Sequence, residues 1–174
     1  CGSLAFIVQY THGARLGVCR KLFRSNEDGR TIYVVSTMPV IADRNSVTQL
    51  YYSGHKDAII SLDVDSSGKI AATGELSPEP ELHVWDAKTG RGIKVFSQMH
   101  RQGISSVSFS VNSEYLVSLG QDVNNSISIF YSPSRNWTDG YHICSTSVSS
   151  SKMLWCLYSS SSTAFPIVVG GASG

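Results

Sequence analysis

No stretch of a dozen residues keeps apolar side chains at i, i+3, i+4 and i+7, so amphipathic helices are not expected. Long hydrophobic runs are missing too. The longest are short, such as Leu4 to Val8, far below the roughly 20 residues a membrane helix requires. Neither sign of charge dominates: 14 basic and 13 acidic residues leave a formal net charge of +1. The basic residues are scattered, so a nucleic-acid partner is not expected. Cysteine is scarce. Cys1, Cys19, Cys144 and Cys156 include no Cys-x-x-Cys pair, and no His stands at zinc-finger spacing, so no structural zinc motif is present. Reduced, partly buried thiols in a cytosolic protein are expected, with a Cys144–Cys156 disulfide as the alternative. No nucleophile motif occurs. Gly170-Gly171-Ala172-Ser173-Gly174 lacks both the lysine and the following helix of a phosphate loop and reads as a strand end. No secretory signal precedes the fold, and the chain, opening at Cys1, reads as a piece of a longer protein. Asn124 and Asn136 head Asn-x-Ser/Thr triplets, expected to carry no glycan in an intracellular protein.

What is present is alternation, and it repeats. With 41% hydrophobic residues the chain has enough apolar surface for a core. Between Gly54-His55 and Trp85-Asp86 lie an alternating run (Ile60, Leu62, Val64), an Asp-Ser-Ser-Gly turn, a small-residue strand (Ile70 to Gly74) and a second alternating run (Leu82, Val84). Displaced by 45 residues without a gap, the pattern recurs. His55 falls on His100, Ser61 on Ser106, Val64 on Phe109, Thr73 on Ser118 and Trp85 on Phe130. Such a period fits the roughly 40–45 residues of one four-stranded propeller blade. The Gly-His…Trp-Asp frame around short strands resembles a WD40 repeat. The fold class expected is all-β, a partial WD40-type β-propeller of about three full four-stranded blades and part of another.

The chain divides accordingly. A hydrophobic segment at 1–18 precedes a first atypical blade at 19–53, with strands at 19–25, Thr31 to Ser36, Val40 to Ala42 and Val47 to Tyr52. A repeat at 54–98 has strands at 58–65, 70–75, 81–86 and 92–97, with Thr89-Gly90 in the last hairpin. A third unit spans 99–146. An incomplete one at 147–174 has strands at Lys152 to Tyr158 and Phe165 to Val169. The Ser-rich connection from Ser145 reads as solvated, with phosphorylation the alternative. Open blade edges would expose unpaired strand backbone, so the rest of its own propeller, or a second copy, is expected to cover them.

In WD40 blades a His, a Ser/Thr, an Asp and a Trp form a buried hydrogen-bonded chain, which stabilises only if every member is satisfied. Residue types match at His55, Thr73, Trp85 and Asp86, and again at His100, Ser118 and Asp122. Phe130 in place of Trp removes a donor, and Ser77 where Asp122 stands one repeat later predicts an incomplete chain in the second unit. Recurrence at the repeat period favours a structural role for His55 and His100 over metal ligation or catalysis. Asp63 and Asp65 are expected on a solvated edge. Glu75, Glu79 and Glu81 around Pro78 and Pro80 form an acidic, stiff loop, a candidate contact surface. No cofactor, metal or enzymatic activity is expected.

ATGELSPEPELHVWD (Ala72 to Asp86) pairs with LVSLGQDVNNSISIF (Leu116 to Phe130), and FIVQYTHGAR (Phe6 to Arg15) leads into a first unit without the His and Trp-Asp frame. This combination resembles the echinoderm microtubule-associated protein-like family, in which a hydrophobic HELP motif precedes tandem atypical propellers. The resemblance implies a non-enzymatic, cytoplasmic and cytoskeletal protein that binds tubulin and associates with microtubules. No tubulin-contact residue is carried over, because no short motif marks one. The alternative is a WD40 interaction scaffold of a cilium- or flagellum-associated complex, whose members share the Leu-Val-Ser-Leu-Gly type of strand.

Overall fold

The computed structural model describes residues 24–25, 28–43, 48–147, 153–158 and 167–171. The hydrophobic segment at 1–18 lies outside them. No helix occurs among the described residues.

Among the described residues, fourteen strands form four antiparallel sheets, each a simple meander. The first holds β1 (Arg24–Ser25), β2 (Thr31–Val35), β3 (Met38–Ala42) and β4 (Gln49–Tyr51). The second holds β5 (Ile59–Val64), β6 (Ile70–Glu75), β7 (Leu82–Asp86) and β8 (Gly92–Phe96). The third holds β9 (Ile104–Phe109), β10 (Tyr115–Gly120), β11 (Ser126–Tyr131) and β12 (Tyr141–Ser147). The fourth has two described strands, β13 (Met153–Tyr158) and β14 (Ile167–Gly171). Each full sheet is one propeller blade, and the propeller is not closed.

The 45-residue repeat extends to the register. Leu62 pairs with Thr73 and Thr73 with His83 in the second blade; Val107 pairs with Ser118 and Ser118 with Ser128 in the third. A bulge falls between Val84 and Trp85 where β7 meets β8, and its counterpart between Ile129 and Phe130. Such bulges re-aim and twist an outer strand, which discourages pairing along its open edge.

Turn chemistry sets the hairpins. Asp65 Oδ1 accepts the amides of Lys69 and Ile70, both at 2.9 Å, while Gly68 adopts a φ of 73°. Ser113 takes the place of Gly68 one repeat later with a φ of 60°, a conformation costly for a residue with a Cβ. Its hydroxyl reaches Asp65 Oδ2 at 3.0 Å and its carbonyl accepts Trp137 Nε1 at 3.2 Å. Those bonds offset the cost.

The blades stack through apolar faces. Ile32, Val34 and Ile41 of the first blade meet Ile59, Leu62, Ala71 and Trp85 of the second. Between the second and third, Leu82, Val84 and Phe96 pack on Val107, Leu116, Phe130 and Trp137. Val117, Leu119 and Ile127 meet Cys156 of the fourth sheet. Because both faces are covered, β6 is buried along its whole length. Polar side chains stitch the same seams. Ser61 Oγ donates to the Ile104 carbonyl at 2.8 Å, and its repeat counterpart Ser106 donates to that of Cys156 at 3.3 Å.

Asp63 and Asp65 correct an expectation. Neither is a solvated edge residue; both are buried. Asp63 Oδ2 accepts the Phe109 amide of the next blade at 3.0 Å. Strand β5 alternates as expected, but its polar face looks at a neighbouring blade and not at water. Cys144 is exposed and Cys156 buried, and no disulfide joins the two.

Candidate functional site

Among the described residues, the densest group of chemically capable side chains lies in the second blade, at the end where the chain enters β5 and passes from β6 to β7. Its hydrogen bonds have one consistent direction. The Trp85 indole N–H is only a donor and gives its proton to Thr73 Oγ1 at 3.0 Å. The Thr73 hydroxyl donates in turn to His55 Nε2 at 2.6 Å. His55 Nδ1 then donates to Glu75 Oε2 at 2.9 Å. Glu75 Oε1 also accepts the Glu81 amide at 3.1 Å.

A second branch lies beside the first. Tyr52 O–H donates to His83 Nδ1 at 2.6 Å, and His83 Nε2 donates to Glu81 Oε2 at 3.2 Å. The two imidazole centroids lie 3.8 Å apart with the rings tilted by 32°, and Tyr52 stacks parallel to Trp85 at 5.3 Å. Burial, and then the neighbouring His55 ring, lower the His83 pKa to about 4. Burial alone would raise the Glu75 carboxyl, but the bonds from His55 and the Glu81 amide hold it below its ordinary value.

Glu75 is therefore not a surface residue of an acidic loop; only 2% of it is exposed. Strand β6 runs one residue beyond the small-residue segment and turns this side chain inward. It also overturns the expected gap in the second blade's polar chain, for Glu75 supplies the carboxylate that Ser77 cannot. Glu79 is exposed and Glu81 half-buried. Asp86 lies outside the polar chain: its Oδ1 accepts the amides of Lys88 and Thr89 at 2.9 and 2.7 Å and closes the β7–β8 hairpin.

The third blade has a simpler version. Ser118 Oγ lies 2.6 Å from His100 Nε2, and His100 Nδ1 lies 2.7 Å from Ser126 Oγ. Ser126 donates to Asp122. Phe130 carries no donor, so this chain begins at Ser118. Burial lowers the His100 pKa to about 4.

Residue-type matching found His55, Thr73, Trp85, His100, Ser118 and Asp122. It missed Tyr52, His83 and Ser126. His83 and Tyr52 have no polar counterpart of the same type in the next repeat, where Ser128 and Ser97 stand, so periodicity alone passed over them. One ligand atom from each of His55, Glu75 and His83 lies within 4.8 Å of the other two, a donor set suited to a divalent cation.

No family model matches the chain. Curated relatives are WD repeat proteins. Cilia- and flagella-associated protein 251 of Chlamydomonas reinhardtii is 28% identical over 87 residues, 50% of this chain and 11% of that protein. Its namesake from Tetrahymena thermophila is 30% identical over 101 residues, 58% of this chain and 10% of that protein. WD repeat-containing protein 90 of Mus musculus is 25% identical over 108 residues, 60% of this chain and 6% of that protein. The chain thus spans about a tenth or less of the length of these relatives. Among solved structures, a chain in the crystal structure of the mitotic checkpoint complex superposes with a TM-score of 0.64 at 17% identity, covering 79% of this chain and 42% of that one. That likeness establishes the WD40 propeller fold.

Proposed function

We propose that this chain is part of a non-enzymatic WD40 scaffold that holds together a cilium- or flagellum-associated protein complex. The observation that carries the reading is the set of ciliary WD repeat relatives, aligned over 50–60% of the chain. A propeller is a rigid frame whose activity lies in its surface, and its loops carry the contacts. The β6–β7 loop is the contact surface we favour, since Leu76 and Glu79 are both exposed there. Glu75 anchors that loop from below.

The resemblance to echinoderm microtubule-associated proteins, HELP segment included, supports a finer version in which tubulin is the partner and the protein is cytoskeletal. Two measurements separate these. Tagged protein in ciliated cells should concentrate in the cilium, and proximity labelling should recover other ciliary proteins. Leu76→Asp with Glu79→Lys should reduce that recovery. Diffuse protein with no ciliary neighbours would defeat the scaffold reading. Co-sedimentation of the purified protein with microtubules would favour the tubulin version.

A further inference from the structure

The internal repeat supplies a control for what a blade needs. The third blade keeps His100 in place with Ser118, Ser126 and Asp122. The second blade uses the same His and Ser/Thr positions but adds much more. At the places of Ser97, Gly120, Ser126 and Ser128 it has Tyr52, Glu75, Glu81 and His83. Four positions that the scaffold fills with serine or glycine in one copy have all become side chains able to bind a metal in the other. Architecture does not demand this, since the neighbouring blade folds without it.

We infer that His55, His83 and Glu75, with Glu81 at the entrance, form a zinc-binding site in the second blade. Imidazole nitrogen and carboxylate oxygen are ordinary zinc ligands at about 2.0–2.2 Å. A tetrahedral ion of that size separates its ligands by about 3.4 Å. His55 Nδ1 and Glu75 Oε2 are 2.9 Å apart, and all three ligand atoms lie within 4.8 Å of one another. Binding thus parts the first pair slightly and draws His83 inward. The ion takes the place of the Nδ1 proton of His55, which passes to Nε2 of the same ring; Nε2 then donates to Thr73 Oγ1, so His55 stays a neutral ligand. The charge balance favours a cation. Glu75 and Glu81 bring two carboxylates, and Lys56 stands 3.9 Å from Glu81 with 80% of its side chain exposed. Glu81, with 24% of its side chain exposed, joins the surface to the buried imidazoles and provides the way in.

The test is zinc titration of chelator-treated protein by calorimetry, with His83→Ser, His142→Ala and wild type in parallel. His83→Ser installs the residue found one repeat later. Loss of even an outer-shell partner weakens metal sites about 10–100-fold. Loss of His83 should therefore weaken zinc by on the order of 100-fold or more, while His142→Ala, a control for surface histidines, leaves it unchanged. Wild type should take up one zinc per chain at micromolar concentration or below. Absence of stoichiometric uptake, uptake that survives His83→Ser, or uptake lost with His142→Ala would each overturn the assignment. If His83→Ser fails to fold by circular dichroism, cobalt-loaded wild type decides. A visible d–d band with paramagnetic shifts confined to two imidazoles supports the site, and their absence refutes it.

Discussion

At the scale of single residues, the polar chains fix what substitution should do. In Trp85→Phe the ring still stacks on Tyr52, and Phe130 shows that a blade accepts this shape. The Thr73 hydroxyl oxygen, however, loses its donor in a fully buried site. The expected cost is about 1–2 kcal/mol, read as a lower urea midpoint with an unchanged slope. His100 makes a prediction about pH. Its folded pKa, lowered to about 4 by burial with His142 adding and Asp122 opposing, lies below the ordinary 6.5. Between those values the unfolded chain binds a proton that the folded chain refuses. Stability therefore falls as pH drops from 6.5 toward 4, by about 2 kcal/mol at pH 5, and His100 contributes no further change below that window. Urea midpoints from pH 7.5 to 4.5 should fall more steeply for wild type than for His100→Asn, which has no proton to bind. Parallel slopes would remove this account.

At the scale of elements, the tightest constraint is the small-residue strand β6. A Cβ on Gly74 would stand 2.6 Å from both Cβ and Cγ2 of Ile104 and 2.7 Å from Ser61 Oγ. The isoleucine atoms are close to the β9 backbone and cannot swing away. Gly74→Ala should cost about 1–3 kcal/mol through overpacking, measured by chemical denaturation, and should weaken the seam between the second and third blades. The strands themselves were legible because their alternation, turns and 45-residue echo agree with one another; β5 to β8 lie within one residue of expectation. The site was only half legible. His55, Thr73 and Trp85 announce themselves by recurring. Glu75 and His83 do not recur, and the glutamate's position beside prolines and other acids suggests a surface loop until the strand is seen to carry it inward. Asp63 and Asp65 misled for a different reason. A period-two pattern reveals that two faces differ, but it cannot say whether the polar face meets water or the next blade.

At the scale of the whole molecule, the blades form a series of nearest-neighbour contacts, so stability depends on the seams as much as on the sheets. The seam between the second and third blades combines the core around Phe96, Phe130 and Trp137 with the bonds from Ser61 and Asp63. Asp63 is the informative place to cut it. Its carboxylate accepts the Phe109 amide, 46 positions away in sequence and buried. Asp63→Ala leaves that amide without its acceptor at the end of β9, an expected loss of about 1–3 kcal/mol. The counterpart residue in the third blade is Ser108, so a like substitution there removes no carboxylate. If the blades unfold as one cooperative unit, Asp63→Ala lowers the protection of amides in both blades alike. If they behave as separable repeats, exchange accelerates at Phe109 and its β9 neighbours while β6 and β7 keep wild-type protection. The polar bridge sits at a strand end while the aromatic core spans the seam. Hydrogen exchange should therefore show the first pattern, and protection lost in the third blade alone would mean that the apolar seam does not couple them.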